Sequence, residues 1–326
     1  MMRSPRRIMI TGGCGFIGSN FVRHILNTYK DSEVVNLDLL TYAGSPENLR
    51  DVESDPRYSF VHGDIRDPHV VAGAMAGADA VVHFAAESHV DRSIEHAAVF
   101  VETNVGGTQV MLDAALKAKP SIYVQISTDE VYGSLGPEGY FTETTPLAPN
   151  SPYSASKAGA DMLASAYYHT YGLPVVITRC SNNYGPYQFP EKLIPLFINN
   201  LLKEIQVPLY GDGLNVRDWL HVYDHCSAVD AVMRGGRVGE VYNIGGNNEK
   251  TNIEITKLIL SKLGKPDSLI SYVKDRLGHD RRYAIDSSRI QSELGWSPKH
   301  DFESGISDTI DWYIKNQDWC KIVSGR

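Results

Sequence analysis

Through its first half the chain alternates short apolar runs with longer amphipathic stretches. Ile8-Met9-Ile10, Glu33-Val34-Val35-Asn36-Leu37, Tyr58-Ser59-Phe60-Val61-His62, Ala80-Val81-Val82-His83-Phe84 and Ser121-Ile122-Tyr123-Val124-Gln125-Ile126 are short and rich in β-branched or aromatic residues, which predicts strands. Between them the spacing predicts helices over about Phe16 to Tyr29 and Ala97 to Lys117. Ser151 followed by Pro152 is a helix start signal, and that helix is expected to reach Tyr171. Leu173 to Arg179 then returns to strand. Strands alternating with helices predict an α/β fold built on a doubly wound parallel sheet of the Rossmann type. The 97–117 helix carries Asn104 and Gly106-Gly107 in its interior. Each such Gly costs about 1 kcal/mol relative to Ala, so a close contact or a polar network is expected there.

The texture changes near residue 182. Ser181 to Gln188 reads as a long polar loop, Glu191-Lys192-Leu193-Ile194-Pro195 starts a helix towards Leu202, and Pro208 to Gly213 reads as a turn. Val241-Tyr242-Asn243-Ile244 is a short strand, Thr251 to Leu263 a capped helix, and Phe302 to Asn316 a helix whose Ile306, Ile310, Trp312 and Tyr313 are core residues. The expected division is a first domain over 1–182, with segments from about 216–244 returning to it, and a smaller α+β substrate-binding domain over most of 183–326.

Candidate chemistry lies where predicted strands end. Gly12-Gly13-Cys14-Gly15-Phe16-Ile17-Gly18 follows the first strand and opens a helix, the context in which glycines let a backbone approach a pyrophosphate. The spacing fits both Gly13-x-Gly15-x-x-Gly18 and Gly12-x-x-Gly15-x-x-Gly18, so it does not select a subfamily. Asp38 ends the second strand about twenty residues after Gly18, where a carboxylate binds ribose hydroxyls and repels a 2′-phosphate, favouring NAD over NADP. Asp64, after the third strand, suits either an adenine contact or a turn. Small Ala85 and Ala86 after the fourth strand allow a close approach, whereas His83 in mid-strand reads as a satisfied core residue. Ser127-Thr128-Asp129-Glu130 follows the fifth strand, and Tyr153 and Lys157 stand four apart, on one face of a helix. A hydroxyl, two carboxyls, a phenol and an ammonium together suggest acid–base catalysis. Asp275 to Arg282 is a basic loop whose three arginines are expected to converge on phosphates.

Composition narrows the class. The chain has 326 residues, 42% hydrophobic and 21% charged, as in ordinary globular proteins. A formal charge of −8 argues against a general nucleic-acid binder. No apolar stretch is long enough to span a membrane, and Thr11-Gly12-Gly13 breaks the only apolar run behind the basic Met1–Arg7 start, so no signal peptide is expected. The cysteines, Cys14, Cys180, Cys226 and Cys320, are scattered without metal spacing, so no metal is expected and a reducing, cytoplasmic setting is.

Thr11 to Gly18 together with Tyr153-Ser154-Ala155-Ser156-Lys157 resembles the extended short-chain dehydrogenase/reductase family. His83 to Asp91, Ser127 to Gly133, Ser181 to Tyr187, Glu191 to Pro195 and Gly278 to Tyr283 resemble its dTDP-glucose 4,6-dehydratases, and the adjacent Asp129-Glu130 is the more specific mark. Leu277, where these dehydratases often have Pro, Ser45-Pro46 and Cys14 depart from the pattern. The resemblance implies NAD held by Gly12, Gly15, Phe16, Ile17, Gly18, Asp38, Leu39, Thr41, Asp64, Ile65, Phe84, Ala85, Ala86, Thr103, Tyr153 and Lys157. It implies a dTDP-glucose substrate contacted by Ser88, Thr128, Asn183, Lys192, Leu193, Arg217, Asn252, Arg276 and His279. By the same resemblance Tyr153, with Lys157 and Thr128, acts at O4, Asp129 is the acid, Glu130 is the base, and helices around 97–118 and 152–171 form a homodimer interface. Bringing a phenol from about 10 to neutrality takes about 4 kcal/mol of preference for phenolate, which Lys157 and the nicotinamide are expected to supply. A nucleotide-sugar 4-epimerase, a UDP-glucose 4,6-dehydratase and a non-catalytic nucleotide-sugar sensor are the alternatives.

Overall fold

The computed structural model describes residues 3–325, so Met1 and Met2 of the basic start lie outside the described residues. In chain order the strands are β1 (Arg7–Thr11), β2 (Glu33–Asp38), β3 (Tyr58–His62), β4 (Ala80–His83), β5 (Ile122–Thr128), β6 (Val175–Cys180), β7 (Asn182–Tyr184), β8 (Val207–Tyr210), β9 (Val216–His221), β10 (Val241–Ile244), β11 (Glu249–Thr251) and β12 (Ile270–Val273). The helices are α1 (Phe16–Thr28), α2 (Pro68–Met75), α3 (Val90–Glu95), α4 (Ala97–Phe100), α5 (Thr108–Ala118), α6 (Pro152–Tyr171), α7 (Leu193–Leu202), α8 (Val222–Gly235), α9 (Asn252–Lys262), α10 (Ser288–Leu294), α11 (Phe302–Lys315) and α12 (Gln317–Ser324).

Seven strands form one sheet in the order β10-β6-β5-β4-β1-β2-β3, and every pairing in it is parallel. Side chains alternate between its faces, and β1, β4 and β5 are buried on both, so their apolar residues are not confined to every second position, whereas the edge strand β3 is largely exposed. Ile8, Ile10, Val82 and Val124 pack on one face with Phe21 and Ile25 of α1, Val229 and Met233 of α8 and Ile290 of α10. Met9, Val81 and Tyr123 pack on the other with Met75 of α2, Met111 and Leu112 of α5 and Ala164 of α6. The chain reverses direction across the sheet between β1 and β4, the kind of crevice in which such folds bind ligands. A separate core joins Ile194 and Phe197 of α7, Ile255 and Ile259 of α9, Ile306 and Ile310 of α11, and Cys320 of α12 around Tyr184 and Trp219.

Four sequence expectations change. The 97–117 helix is split: α4 and α5 flank a π-helical segment, Val101–Gly107. The wider turn carries Asn104 inward, where its amide donates to Ser156 Oγ (2.8 Å) and the Glu87 carbonyl (3.0 Å) and accepts from the Glu87 amide (2.8 Å). Gly107 is needed because a Cβ there would stand 2.5 Å from Ile65 Cδ1. The polar loop after Ser181 contains β7, which pairs with β9. Pro208 lies not in a turn but in β8, tolerated because this strand has β12 as its one partner. Within 216–244, β9 belongs to a small sheet with β7 and β11, while β10 completes the large sheet.

Candidate active site

The glycine turn is held open by geometry that only glycine satisfies. Gly12 has φ +70°, and a Cβ there would stand 2.7 Å from the Ala85 amide nitrogen. Gly15 caps α1, whose free N–H groups face the crevice. Asp38 closes the far side, its two carboxylate oxygens accepting from the Cys14 and Leu40 amides, each at 2.8 Å. Burial pushes the Asp38 carboxyl up, and those two amides pull it back. Asp64 takes its turn-forming role, accepting from the Arg66 amide and pairing with the Arg66 guanidinium at 2.6 Å, which lowers its carboxyl despite partial burial. His83 is a core residue: Nδ1 meets Thr11 Oγ1 at 2.6 Å, and burial holds the ring neutral with a pKa of about 3.

Every position assigned to the cofactor lines one cavity of about 430 Å³, as do Thr128, Asp129, Glu130, Ser88, Asn183 and Lys192. The residues therefore fit a dinucleotide: a backbone cradle for phosphates, a carboxylate at the ribose position, and the reacting groups at the inner end. Leu193, Arg217, Asn252, Arg276 and His279 do not line it. Leu193 begins α7 and packs on the third core. Arg217 is buried, donating to the Asp280 carbonyl (2.9 Å) with its guanidinium 4.3 Å above the Tyr283 ring. Asn252 opens α9 and is buried. Arg276 lies 3.9 Å from Asp91, and His279 Nδ1 meets Asp275 at 2.6 Å. Arg276 and Arg217 nevertheless act electrostatically on Glu130, so both stand near the reacting end. The other two loop arginines do not converge with them: Arg281 pairs with Asp212 (2.8 Å) and Arg282 with Glu249 (2.7 Å). Carboxylates far away in sequence claim both guanidinium groups.

Thr128 ends β5 and caps a 3-10 turn, Asp129–Tyr132. Tyr132 anchors the turn from below, donating to Asn243 Oδ1 (2.8 Å) and accepting from Arg179 (3.0 Å), which is itself paired with Asp161 of α6 in the core. Burial drives the Asp129 carboxyl well above its ordinary range, and neighbouring Glu130 and Asp218 add to this. Asp129 Oδ2 has no hydrogen-bond partner among the described residues, as suits an acid that keeps its proton. Burial raises Glu130 too, but Arg276, Arg217 and Lys192 pull it back towards carboxylate. Their surroundings thus act differently on the two neighbours: three cations oppose the effect of burial at Glu130, whereas Glu130 and Asp218 reinforce it at Asp129.

Burial, Glu130, Cys180 and Asp129 hold the Tyr153 phenol well above 10, and its neighbour Thr128 lowers it only in part. Lys157 is close by, but its ammonium is buried and donates to the Ile126 carbonyl at 2.7 Å. Sequence reasoning passed over Cys180, Ser181, Gln188 and Phe189, which also line the cavity. Cys180 and Ser181 follow a predicted strand, so the rule that found the other strand-end residues could have found them. Among the described residues no group of three His, Cys, Asp or Glu side chains could hold a metal ion, and no helix is long and apolar enough to cross a membrane.

A family model described as GDP-mannose 4,6 dehydratase matches residues 9–309. A dTDP-glucose 4,6-dehydratase of Streptomyces antibioticus is 55% identical over 324 residues, 98% of this chain and 96% of that protein. A dTDP-glucose 4,6-dehydratase from Streptomyces venezuelae, solved with NAD bound, is 55% identical with a TM-score of 0.95, over 97% of this chain and 99% of that one. A dTDP-glucose 4,6-dehydratase from Bacillus anthracis, also solved with NAD, is 54% identical with a TM-score of 0.90, over 98% and 99% of the two chains. A crevice of this form with a Tyr/Lys pair defines a short-chain dehydrogenase/reductase of the extended kind. Within that class the chain belongs to the dTDP-glucose 4,6-dehydratase family.

Proposed function

We propose that this protein is a hydro-lyase that converts dTDP-glucose to dTDP-4-keto-6-deoxyglucose and water on a retained NAD. The observation that carries this reading is the Asp129-Glu130 pair lining the cavity with Tyr153, where burial drives the Asp129 carboxyl well up while three cations draw Glu130 back towards carboxylate. An enzyme that only interconverts C4 stereochemistry needs neither carboxyl. The C6 hydroxyl is a poor leaving group until C4 is a ketone, which acidifies the C5 proton. Bound NAD supplies a positively charged ring that accepts hydride from C4 and returns it to C6. Tyr153, as phenolate, takes the O4 proton, with Thr128 and Lys157 beside it. Glu130 takes the C5 proton and Asp129 gives its proton to the departing O6, after which Glu130 returns a proton to C5. General acid–base groups placed in this way each contribute about 10²–10⁴-fold.

In this reading the sheet and its helices hold NAD, through Gly12, Asp38, Thr41, Thr103 and the other cavity positions. Most of the chain after 183 holds the nucleotide sugar, with α8 and β10 returning to the sheet. Lys192, Arg217 and Arg276 face the diphosphate, with Ser88, Asn183, Leu193, Asn252 and His279 around the nucleotide and sugar. The exposed apolar residues Val101 and Met162, on the 97–118 stretch and α6, support a homodimer through those helices. The protein works in the cytoplasm. The test is incubation with dTDP-glucose and, separately, UDP-glucose in D2O without added NAD. A 4-keto product short of one water, with deuterium at C5 and formed faster from dTDP-glucose, is expected. Unchanged mass with inversion at C4 would make it an epimerase.

A further inference from the structure

In the reaction proposed above, on which this inference rests, the protons do not balance residue by residue. Tyr153 begins as phenolate and ends with the O4 proton. Asp129 begins protonated and ends as carboxylate, its proton carried off in the released water. Glu130 takes one proton and gives one back. Every turnover therefore leaves a proton on Tyr153 that Asp129 needs before the next.

Direct exchange with solvent is poorly served. Asp129 is 1% exposed. Lys157, one helical turn on from Tyr153, is buried with its ammonium on the Ile126 carbonyl. Between the two residues stands Thr128. Its Oγ1 donates to Asp129 Oδ1 at 3.3 Å, accepts from the Glu130 amide at 3.3 Å, lines the cavity with Tyr153, and acts on that phenol as a neighbouring hydroxyl. A hydroxyl has one proton to give and two lone pairs. With its proton on Asp129 and the Glu130 amide on one lone pair, the other lone pair is left for the Tyr153 O–H. The distances are long, as catalytic hydrogen bonds often are before substrate binds.

We propose that Thr128 is the relay that resets the enzyme, carrying a proton from Tyr153 to Asp129 between turnovers. The Tyr153 O–H bond breaks as its proton joins Thr128 Oγ1, and the Thr128 O–H bond breaks as its proton joins Asp129 Oδ1. Phenolate and carboxylic acid are restored, no electrons change hands, and no further reactant is required. A half-turn of the carboxyl about Cβ–Cγ, unhindered by any hydrogen bond at Oδ2, then turns the new proton to the sugar. The environment that raises the Asp129 carboxyl also makes its carboxylate a better acceptor for a phenol proton.

The test is rapid-quench kinetics on the NAD-containing enzyme with dTDP-glucose, in H2O and D2O. Thr128→Val and Thr128→Ala both remove the hydroxyl, so either serves if the other fails to fold. Each should give a burst of one product per active site and then a slow phase. Their ratio of burst rate to steady rate should exceed that of wild type by about 100-fold, the low end of what a positioned proton carrier contributes. D2O should slow the second phase more than the burst, whose own proton transfers from O4 and Asp129 also carry deuterium. Thr128→Ser, which keeps a hydroxyl, should show the wild-type ratio whatever its absolute rate. First and later turnovers slowed equally in the Val and Ala variants would overturn the relay and leave Thr128 acting at O4 alone. A wild-type protein that removes no water from the sugar would instead overturn the dehydratase reading itself.

Discussion

The two ends of the cavity are built differently. At the cofactor end, backbone geometry dominates: the left-handed Gly12, the start of α1, and Asp38 fixed by two amides. Around the inner carboxyl Glu130, by contrast, the structure brings together long cationic side chains from distant segments. Lys192 donates to the Ser88 carbonyl at 3.3 Å, Arg217 to that of Asp280 at 2.9 Å, and Arg276 faces Asp91 at 3.9 Å. A backbone cradle has little freedom to lose and suits a group that stays bound. The cations act on Glu130 and, in the proposed function, suit a diphosphate that leaves each cycle while NAD is retained.

The largest expected effect lies where the two ends meet. Glu130→Gln and Asp129→Asn should each reduce water loss by about 10²–10⁴-fold, read by NMR of the product, with NAD content unchanged. Full activity in either variant would remove the carboxyl pair from the chemistry. Next comes a crossed pair of variants. Arg276→Ala should raise the KM for dTDP-glucose about 10–100-fold, as expected from losing a charged hydrogen bond of about 1.5–3 kcal/mol, and leave NAD content intact. Gly12→Ala should do the reverse, shedding NAD because its Cβ would meet the Ala85 backbone at 2.7 Å. Loss of NAD from Arg276→Ala would show that the two ends are not separable. The smallest effect concerns stability. Because burial raises the Asp129 carboxyl in the folded state, the stability it contributes is present below the unfolded carboxyl's pKa of about 3.9 and falls as pH rises towards the folded value. Asp129→Asn should therefore gain stability relative to wild type as pH rises from about 4 to 7, measured by urea unfolding. A difference that stays constant with pH would mean that Asp129 is not held protonated.

The same contrast governs how much the sequence could reveal. The glycine turn and the strand ends were legible because strand, glycine turn, helix and strand-end carboxylate are local and obey fixed spacing, and Gly12, Gly15, Gly18, Asp38, Ala85 and Ala86 line the cavity. His83 as a core residue and the caps at Ser151 and Thr251 were legible for the same reason. The basic loop was not. Arg276, Arg281 and Arg282 look equivalent in sequence, but Asp212 and Glu249 engage the last two, and no local pattern announces those partners. Lys157 was legible in place, but i, i+4 spacing gives a shared face and not the carbonyl its ammonium meets. The π-helical segment was visible only as a misplaced Asn and two glycines.

The central claim is that one cavity oxidises C4, removes the C6 hydroxyl and returns the hydride within a single molecule. Its most direct test uses dTDP-glucose carrying deuterium at C4, turned over by the purified protein and analysed by NMR and mass spectrometry. The account predicts a product with that deuterium at C6, a ketone at C4 and one water lost. Deuterium still at C4, or lost to solvent with the C6 hydroxyl intact, would contradict it.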